Sequence, residues 1–92
     1  MTTYLMFGRY SMDAVKSVSA RRTEQAIAII KENGGEYQGG YALLGRTDLV
    51  LIVELPDTES AMKTSQALSK KLGIDFSTSP ALSVSEFDQI FG

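Results

Sequence analysis

Five consecutive aliphatic residues, Leu49-Val50-Leu51-Ile52-Val53, dominate the middle of the chain. A run of this length, rich in β-branched side chains and bounded by Asp48 and Glu54, is the pattern of a strand buried on both faces. It is far too short to cross a bilayer, which takes about 20 apolar residues. One other segment has the same character. Thr3 to Tyr10 alternates Leu5 and Phe7 with Tyr4, Met6 and Tyr10, so both of its faces are apolar as well. Two such strands belong in the interior of one sheet.

The remaining segments alternate or follow the helical period. Ser11 to Ser19 is polar, with Met12, Val15 and Val18 at a spacing that allows a helical turn. From Ala20 to Asn33 the spacing predicts a helix whose inward stripe is Ala20, Thr23, Ile27 and Ile30, with Ala26 beside it. Asn33-Gly34-Gly35 ends it, because glycine accepts the left-handed cap conformation. Glu36 to Leu44 reads as a strand with Tyr37, Tyr41 and Leu43 on one face, and Gly39-Gly40 marks a bulge or a close backbone approach within it. Asp57 caps a second helix through its carboxylate, with Ala61, Ser65, Leu68 and Leu72 facing inward. Lys70 and Lys71 lie in its last turn, where the helix dipole favours cations, and Gly73 stops it. Ile74 to Val84 reads as a strand interrupted by Pro80, with Ile74, Phe76, Leu82 and Val84 on one face. Ser85 then caps a short helix in which Phe87, Ile90 and Phe91 share a face.

The order strand, helix, strand, strand, helix, strand is the ferredoxin-like βαββαβ arrangement, an α+β fold. It places two helices on one face of a four-stranded antiparallel sheet, with the first and third strands central. Those are the two strands that are apolar on both faces. The second and fourth, which carry the glycine pair and the proline, become edges. The helices cover one side only. The other side is expected to expose Tyr4, Met6 and Tyr10 together with either Val50 and Ile52 or Leu49, Leu51 and Val53. A patch of that kind marks an interface. The chain is therefore expected to be one domain, residues 1–92, that forms a homodimer through its sheet face.

Composition removes whole classes of chemistry. The 92 residues include no cysteine and no histidine. Disulfides, thiolate catalysis, cysteine–histidine zinc sites and histidine general bases are thereby excluded. No oxygen-rich loop for a hard cation is present, so no metal and no cofactor are expected. Nine basic against eleven acidic residues leave a net charge of −2, too weak a field to draw nucleic acid or an anionic membrane. The third strand also lacks the exposed aromatics on which RNA-recognition sheets stack bases. The N-terminus has no signal-peptide pattern, and a cytoplasmic location is expected.

Residues Gly40-Tyr41-Ala42-Leu43-Leu44-Gly45-Arg46-Thr47-Asp48, the apolar strand after them, and Glu54-Leu55-Pro56-Asp57 resemble the central signature of the GYD domain family. Ser85 and Phe87 resemble the family's C-terminal end, and Lys16 and Arg22 fall where its members often carry a basic pair. Thr47 departs from the pattern, which commonly has an aromatic residue before the aspartate. The resemblance implies a ferredoxin-like fold of the dimeric α/β-barrel type and no established chemistry.

Barrels of that type commonly hold ligands between sheet and helices or at the barrel mouth. The candidate ligand-binding residues are Tyr10, Lys16, Arg22, Tyr41 and Asp48. Tyr10 and Tyr41 would wall a pocket. Lys16 and Arg22, ahead of a helix N-terminus, would hold an anionic group. A plainer reading stands beside this one, in which Tyr41 is core, Asp48 bonds its own turn and the basic pair is solvated. Two functions follow: a small-molecule-binding or assembly domain taking a small anionic or apolar ligand, or a cofactor-independent enzyme of the monooxygenase or isomerase kind. No residue is marked as catalytic. Without histidine, only Tyr, Lys, Asp or Glu could move protons, which favours the binding domain.

Overall fold

The computed structural model describes residues 1–15 and 19–92. Its elements are β1 (Thr2–Tyr10), α1 (Met12–Val15), α2 (Ala20–Glu32), β2 (Glu36–Ala42), β3 (Leu49–Leu55), α3 (Thr58–Leu72), β4 (Ile74–Ala81) and α4 (Val84–Phe91). The strands form one antiparallel sheet in the order β2-β3-β1-β4. The two doubly apolar strands are indeed the central pair.

The register sorts every strand residue to a face. Rows Tyr37–Val53–Tyr4–Pro80 and Gly40–Leu51–Met6–Thr78 lie under the helices. They meet Ile29 and Ile30 of α2 and Ala61, Leu68 and Leu72 of α3 in one core. Rows Gly39–Ile52–Leu5–Ser79 and Tyr41–Val50–Phe7–Ser77 form the opposite, open face. The open face is therefore not built on Tyr4, Met6 and Tyr10, as expected from the sequence. It is built on Leu5, Phe7, Val50 and Ile52. Tyr4 and Met6 are core, and Met6 has no exposed surface. Alternation says which residues share a face, but not which face the helices choose.

Similar corrections apply to the helices. The inward stripe of α2 is Ala26, Ile29 and Ile30, whereas Ala20 and Thr23 are exposed. In α3, Thr64 takes the inward position expected of Ser65, and it satisfies its hydroxyl on the Ser60 carbonyl at 2.7 Å. In α1, Ala14 is buried and Met12 points to solvent. Val18 lies outside the described residues. Asp57 caps α3 and Gly73 ends it, both as expected.

The C-terminal boundary also moves. β4 stops at Ala81, and Val84 opens α4 instead of ending the strand. The cap is Ser83, not Ser85. Ser83 Oγ accepts from the Glu86 N–H at 3.1 Å, and the Glu86 carboxylate accepts from the Ser83 N–H at 3.3 Å, closing a capping box. None of the eight residues of α4 is buried. The radius of gyration is 13.5 Å and the long axis 46 Å. A compact domain of this length has a radius of about 12 Å, which accords with a helix standing off the sheet.

Two stability outcomes are expected. Thr78 Oγ1 is buried against the core without a hydrogen-bond partner. Thr78→Val keeps the shape and removes the orphan group, so it should raise the unfolding free energy by about 1 kcal/mol in urea titration. Hydrogen bonds from the Ser60 backbone N–H, then from its side chain, hold the exposed Asp57 carboxyl below the ordinary carboxylate value, with a smaller contribution from Lys63. A lowered folded-state pKa stabilises fully above the unfolded value of about 3.9 and loses that contribution as pH falls through the folded value. The difference in Tm between the wild type and Asp57→Ala should be constant from pH 7 to 5 and shrink at lower pH. A difference that persists unchanged through the acid range would show that the carboxylate charge contributes nothing.

Candidate functional site

The inner face of the sheet is not filled evenly. One of its rows is Ala42–Leu49–Gly8–Phe76, in which two of four positions carry little or no side chain. A Cβ on Gly8 would lie 2.6 Å from Leu49 Cδ2 and 2.7 Å from Phe76 Cε1. These side chains therefore lean over the glycine from both neighbouring strands. Above this row α2 presents the small Ala26. The result is an apolar cleft of about 60 Å³ between α2 and the sheet. Leu49, Leu51, Ile74 and Phe76 form its floor, Tyr10 and Tyr37 its aromatic walls, and Ser19, Arg22 and Thr23 at the start of α2 its polar rim.

Arg22 is placed by helical periodicity. It precedes Ala26 and Ile30 at four-residue intervals on the inward side of α2. Its Nη1 donates to the Ala14 carbonyl at 3.0 Å, and its Nη2 donates to the Leu72 carbonyl. Leu72 closes α3, where carbonyls lack helical partners and the dipole favours a cation. One guanidinium thus ties α1, α2 and α3 together. A guanidinium has five N–H donors, and two of them are used in these bonds. The N-terminus of α2, capped by Ser19, adds the positive end of a helix dipole at the same rim.

The Asp48 carboxylate does not bond its own turn. Its Oδ2 accepts from the Tyr10 N–H at 2.9 Å, its N–H donates to the Gly8 carbonyl at 2.8 Å, and its carbonyl accepts from the Leu43 N–H at 2.8 Å. The regular pairing of β1 with β3 ends at Gly8 and Leu49. Beyond that point the carboxylate takes the place of the missing ladder acceptor. Asp48 therefore holds the backbone from which the Tyr10 ring projects.

Tyr41 is elsewhere. It pairs with Val50 on the open face and is 67% exposed. The cause is the bulge at Gln38, between Tyr37 and Gly39. One extra residue reverses the parity of the strand, so Tyr37 turns inward and Tyr41 outward. The inner aromatic of β2 is Tyr37, whose hydroxyl lies 2.9 Å from where a Gly40 Cβ would be. Of the five expected ligand-binding residues, the cleft brings together Tyr10 and Arg22. Asp48 supports Tyr10 from behind, Tyr41 lies on the other side of the sheet, and Lys16 lies outside the described residues. Tyr37 and Phe76 were not anticipated. The Gly39-Gly40 pair was the available signal for Tyr37, had the bulge been carried through to side-chain parity.

A shallower groove of about 280 Å³ runs between α3 and β4, past Tyr4, Ala61, Met62, Thr78 and Pro80. It has no charged residue in its lining. Among the described residues no three carboxylates converge on a point that could hold a metal ion.

The model of the GYD domain family matches residues 4–91. No curated protein matches the chain in sequence. Among solved structures, the Mycobacterium tuberculosis leucine response regulatory protein superposes with a TM-score of 0.59 at 11% identity, covering 89% of this chain and 51% of that one. An AsnC family transcriptional regulator from Agrobacterium tumefaciens gives a TM-score of 0.58 at 22% identity, over 89% of this chain and 50% of that one. The chain thus spans about half the length of either regulator. At these identities the likeness is one of fold. No described helix is long and apolar enough to cross a membrane.

Arg22→Ala should lower stability by about 1–3 kcal/mol, because it leaves the Leu72 and Ala14 carbonyls without their charged donor. For a domain of this size that is a fall in Tm of several degrees. Arg22→Lys, with one compact cation in place of a fork, should recover part of it. An unchanged Tm in Arg22→Ala would show that the guanidinium does not tie the helices.

Proposed function

The chain belongs to the GYD domain family, and we propose that it is a homo-oligomeric binding domain for a small ligand with an apolar body and an anionic end. The observation that carries this reading is the composition of the cleft. Its floor and walls are apolar and aromatic, and its rim combines Arg22 with the N-terminus of α2. Pockets that bind small molecules are built in this way, apolar within and with a few convergent polar groups that set orientation. A carboxylate would take the uncommitted guanidinium donors in charge-assisted bonds, and the aliphatic or aromatic remainder would lie against Leu49, Phe76 and Tyr37. The size of the cleft limits that remainder to a few heavy atoms. The likeness in fold to a leucine response regulatory protein fits a ligand of amino-acid size.

Assembly is the second half of the proposal. The open face carries Leu5, Phe7, Val50 and Ile52, and none of the described elements covers it. Two copies stacked by this face would give the dimeric α/β barrel. The alternative, a cofactor-independent enzyme, finds less support. The cleft lining has two phenols and a guanidinium but no carboxylate to accept a proton.

The test is thermal shift against small carboxylates, leucine and other aliphatic amino acids among them. A true ligand at 100 times its Kd adds about 2.7 kcal/mol, which shifts Tm by several degrees or more. Thr23→Leu, which crowds the rim from an exposed position, should abolish the shift while leaving the unliganded Tm near that of the wild type. A panel without any shift would overturn the pocket. A monodisperse monomer at micromolar concentration in light scattering would overturn the dimer.

A further inference from the structure

α4 has no buried residue. Val84, Phe87, Ile90 and Phe91 lie along one side of it and are 77%, 53%, 62% and 75% exposed. Eight residues are too few for a helix to persist by itself, since isolated helices shorter than about 12–15 residues are marginal even with good propensity. The capping box at Ser83 stabilises the first turn but covers no apolar surface. Something must cover this side of α4.

The chain's own open face is a poor candidate. α4 leaves the sheet at Ala81, beside the row Glu36–Glu54–Thr3–Ala81. Glu36 and Glu54 are the charged side chains of that row, and α4 brings Glu86 and Asp88. Folding back would gather four carboxylates at one end of the sheet. The opposite end differs. The connection from β2 to β3 exposes Leu43 and Leu44, the latter completely, next to Arg46 and the exposed Tyr41. Arg9 lies at the same end, opposite Asp75 on β4, while the Asp48 carboxylate there is engaged by the Tyr10 N–H. An amphipathic helix can set its two carboxylates against Arg46 and Arg9 at this end and lay its apolar side on Tyr41, Leu43 and Leu44. Within one chain the two are separated by the length of the sheet.

We infer that α4 is an exchanged arm: in a dimer whose sheets stack in opposite strand orientation, α4 of each copy packs on the Leu43–Arg46 end of the other. This rests on the proposed pairing of the open faces and specifies its orientation. A stable dimer buries about 800 Å² per partner, and Leu5, Phe7, Val50 and Ile52 are already half-buried by their neighbours. The arm adds the exposed parts of Val84, Phe87, Ile90 and Phe91 to the surface that the pairing buries.

The natural chain has no cysteine, so introduced thiols report the contact alone. Asp88→Cys mixed with Leu44→Cys under mild oxidation should form a heterodimeric disulfide at least tenfold faster than Asp88→Cys mixed with Glu36→Cys. Equal rates, or a preference for Glu36→Cys, would overturn the arm's placement. In sedimentation equilibrium, Phe87→Ser with Phe91→Ser should raise the dimer Kd by at least tenfold while the far-UV spectrum of the remaining fold is kept. Arg46→Glu should weaken the dimer, and Arg46→Glu with Asp88→Lys should restore it. If these variants dimerise like the wild type, the arm falls and the paired sheet faces stand. If Val50→Lys also leaves the dimer intact, the sheet-face reading falls with it.

Discussion

The structure depends on one mismatch, between a sheet whose central strands are apolar on both faces and two long helices that can cover only one of them. β3 pairs with β1 along its whole length, from Leu49 to Leu55, and each strand would bury both of its faces if it could. The helices resolve half of this. They take the face of Tyr4, Met6, Leu51 and Val53, where the side chains meet Ile30 and Leu68 at zero exposure. Fully burying a large apolar side chain is worth about 1.5–3 kcal/mol, so that choice fixes the sidedness of the whole molecule. The face left over carries Leu5, Phe7, Val50 and Ile52. Its lack of cover is the physical reason for reading the chain as one half of an assembly.

The cleft arises from the same sheet by a different route. Small residues on the inner face, Gly8, Gly40 and Ala42, leave room that neighbouring strands fill only partly. Leu49 and Phe76 lean inward over Gly8, and Tyr37 lies along the strand above Gly40. Ala26 on α2 adds no bulk from above. A cleft between closely packed layers has rigid walls, and its polar groups sit where the layers end. Arg22 and Asp48 both work at such ends. Each substitutes a charged side chain for a missing backbone partner: Arg22 at the C-terminus of α3, Asp48 beyond the last pair of the β1–β3 ladder. The bonds that hold Arg22 also keep its guanidinium at the rim of the cleft.

Much of this was legible in the chain. The doubly apolar strands, the glycine stops, the Asp57 cap and the ferredoxin-like order follow from local chemistry, and each acts within a few residues. Arg22 and Tyr10 were accessible because they flank elements whose positions the order of strands and helices defines. Alternation puts Tyr37 and Tyr41 on one face, and they lie on opposite faces because a bulge inverts every side chain beyond it; the glycines that permit a bulge do not say where the extra residue falls. Ser83 was passed over for Ser85 because a strand ending in Leu82 and Val84 is as apolar as a strand that stops earlier and turns into an amphipathic helix.

The amino-acid sequence by itself determined the order of elements, the identity of the central strands and the exclusion of thiol and imidazole chemistry. These rest on residue type and short-range spacing. Tertiary structure decided which face the helices cover, which tyrosine reaches the cleft, and that the Asp48 carboxylate serves Tyr10 instead of its own turn. All three depend on contacts between residues distant in the chain. A period of two offers two equivalent faces until packing against a third element breaks the tie.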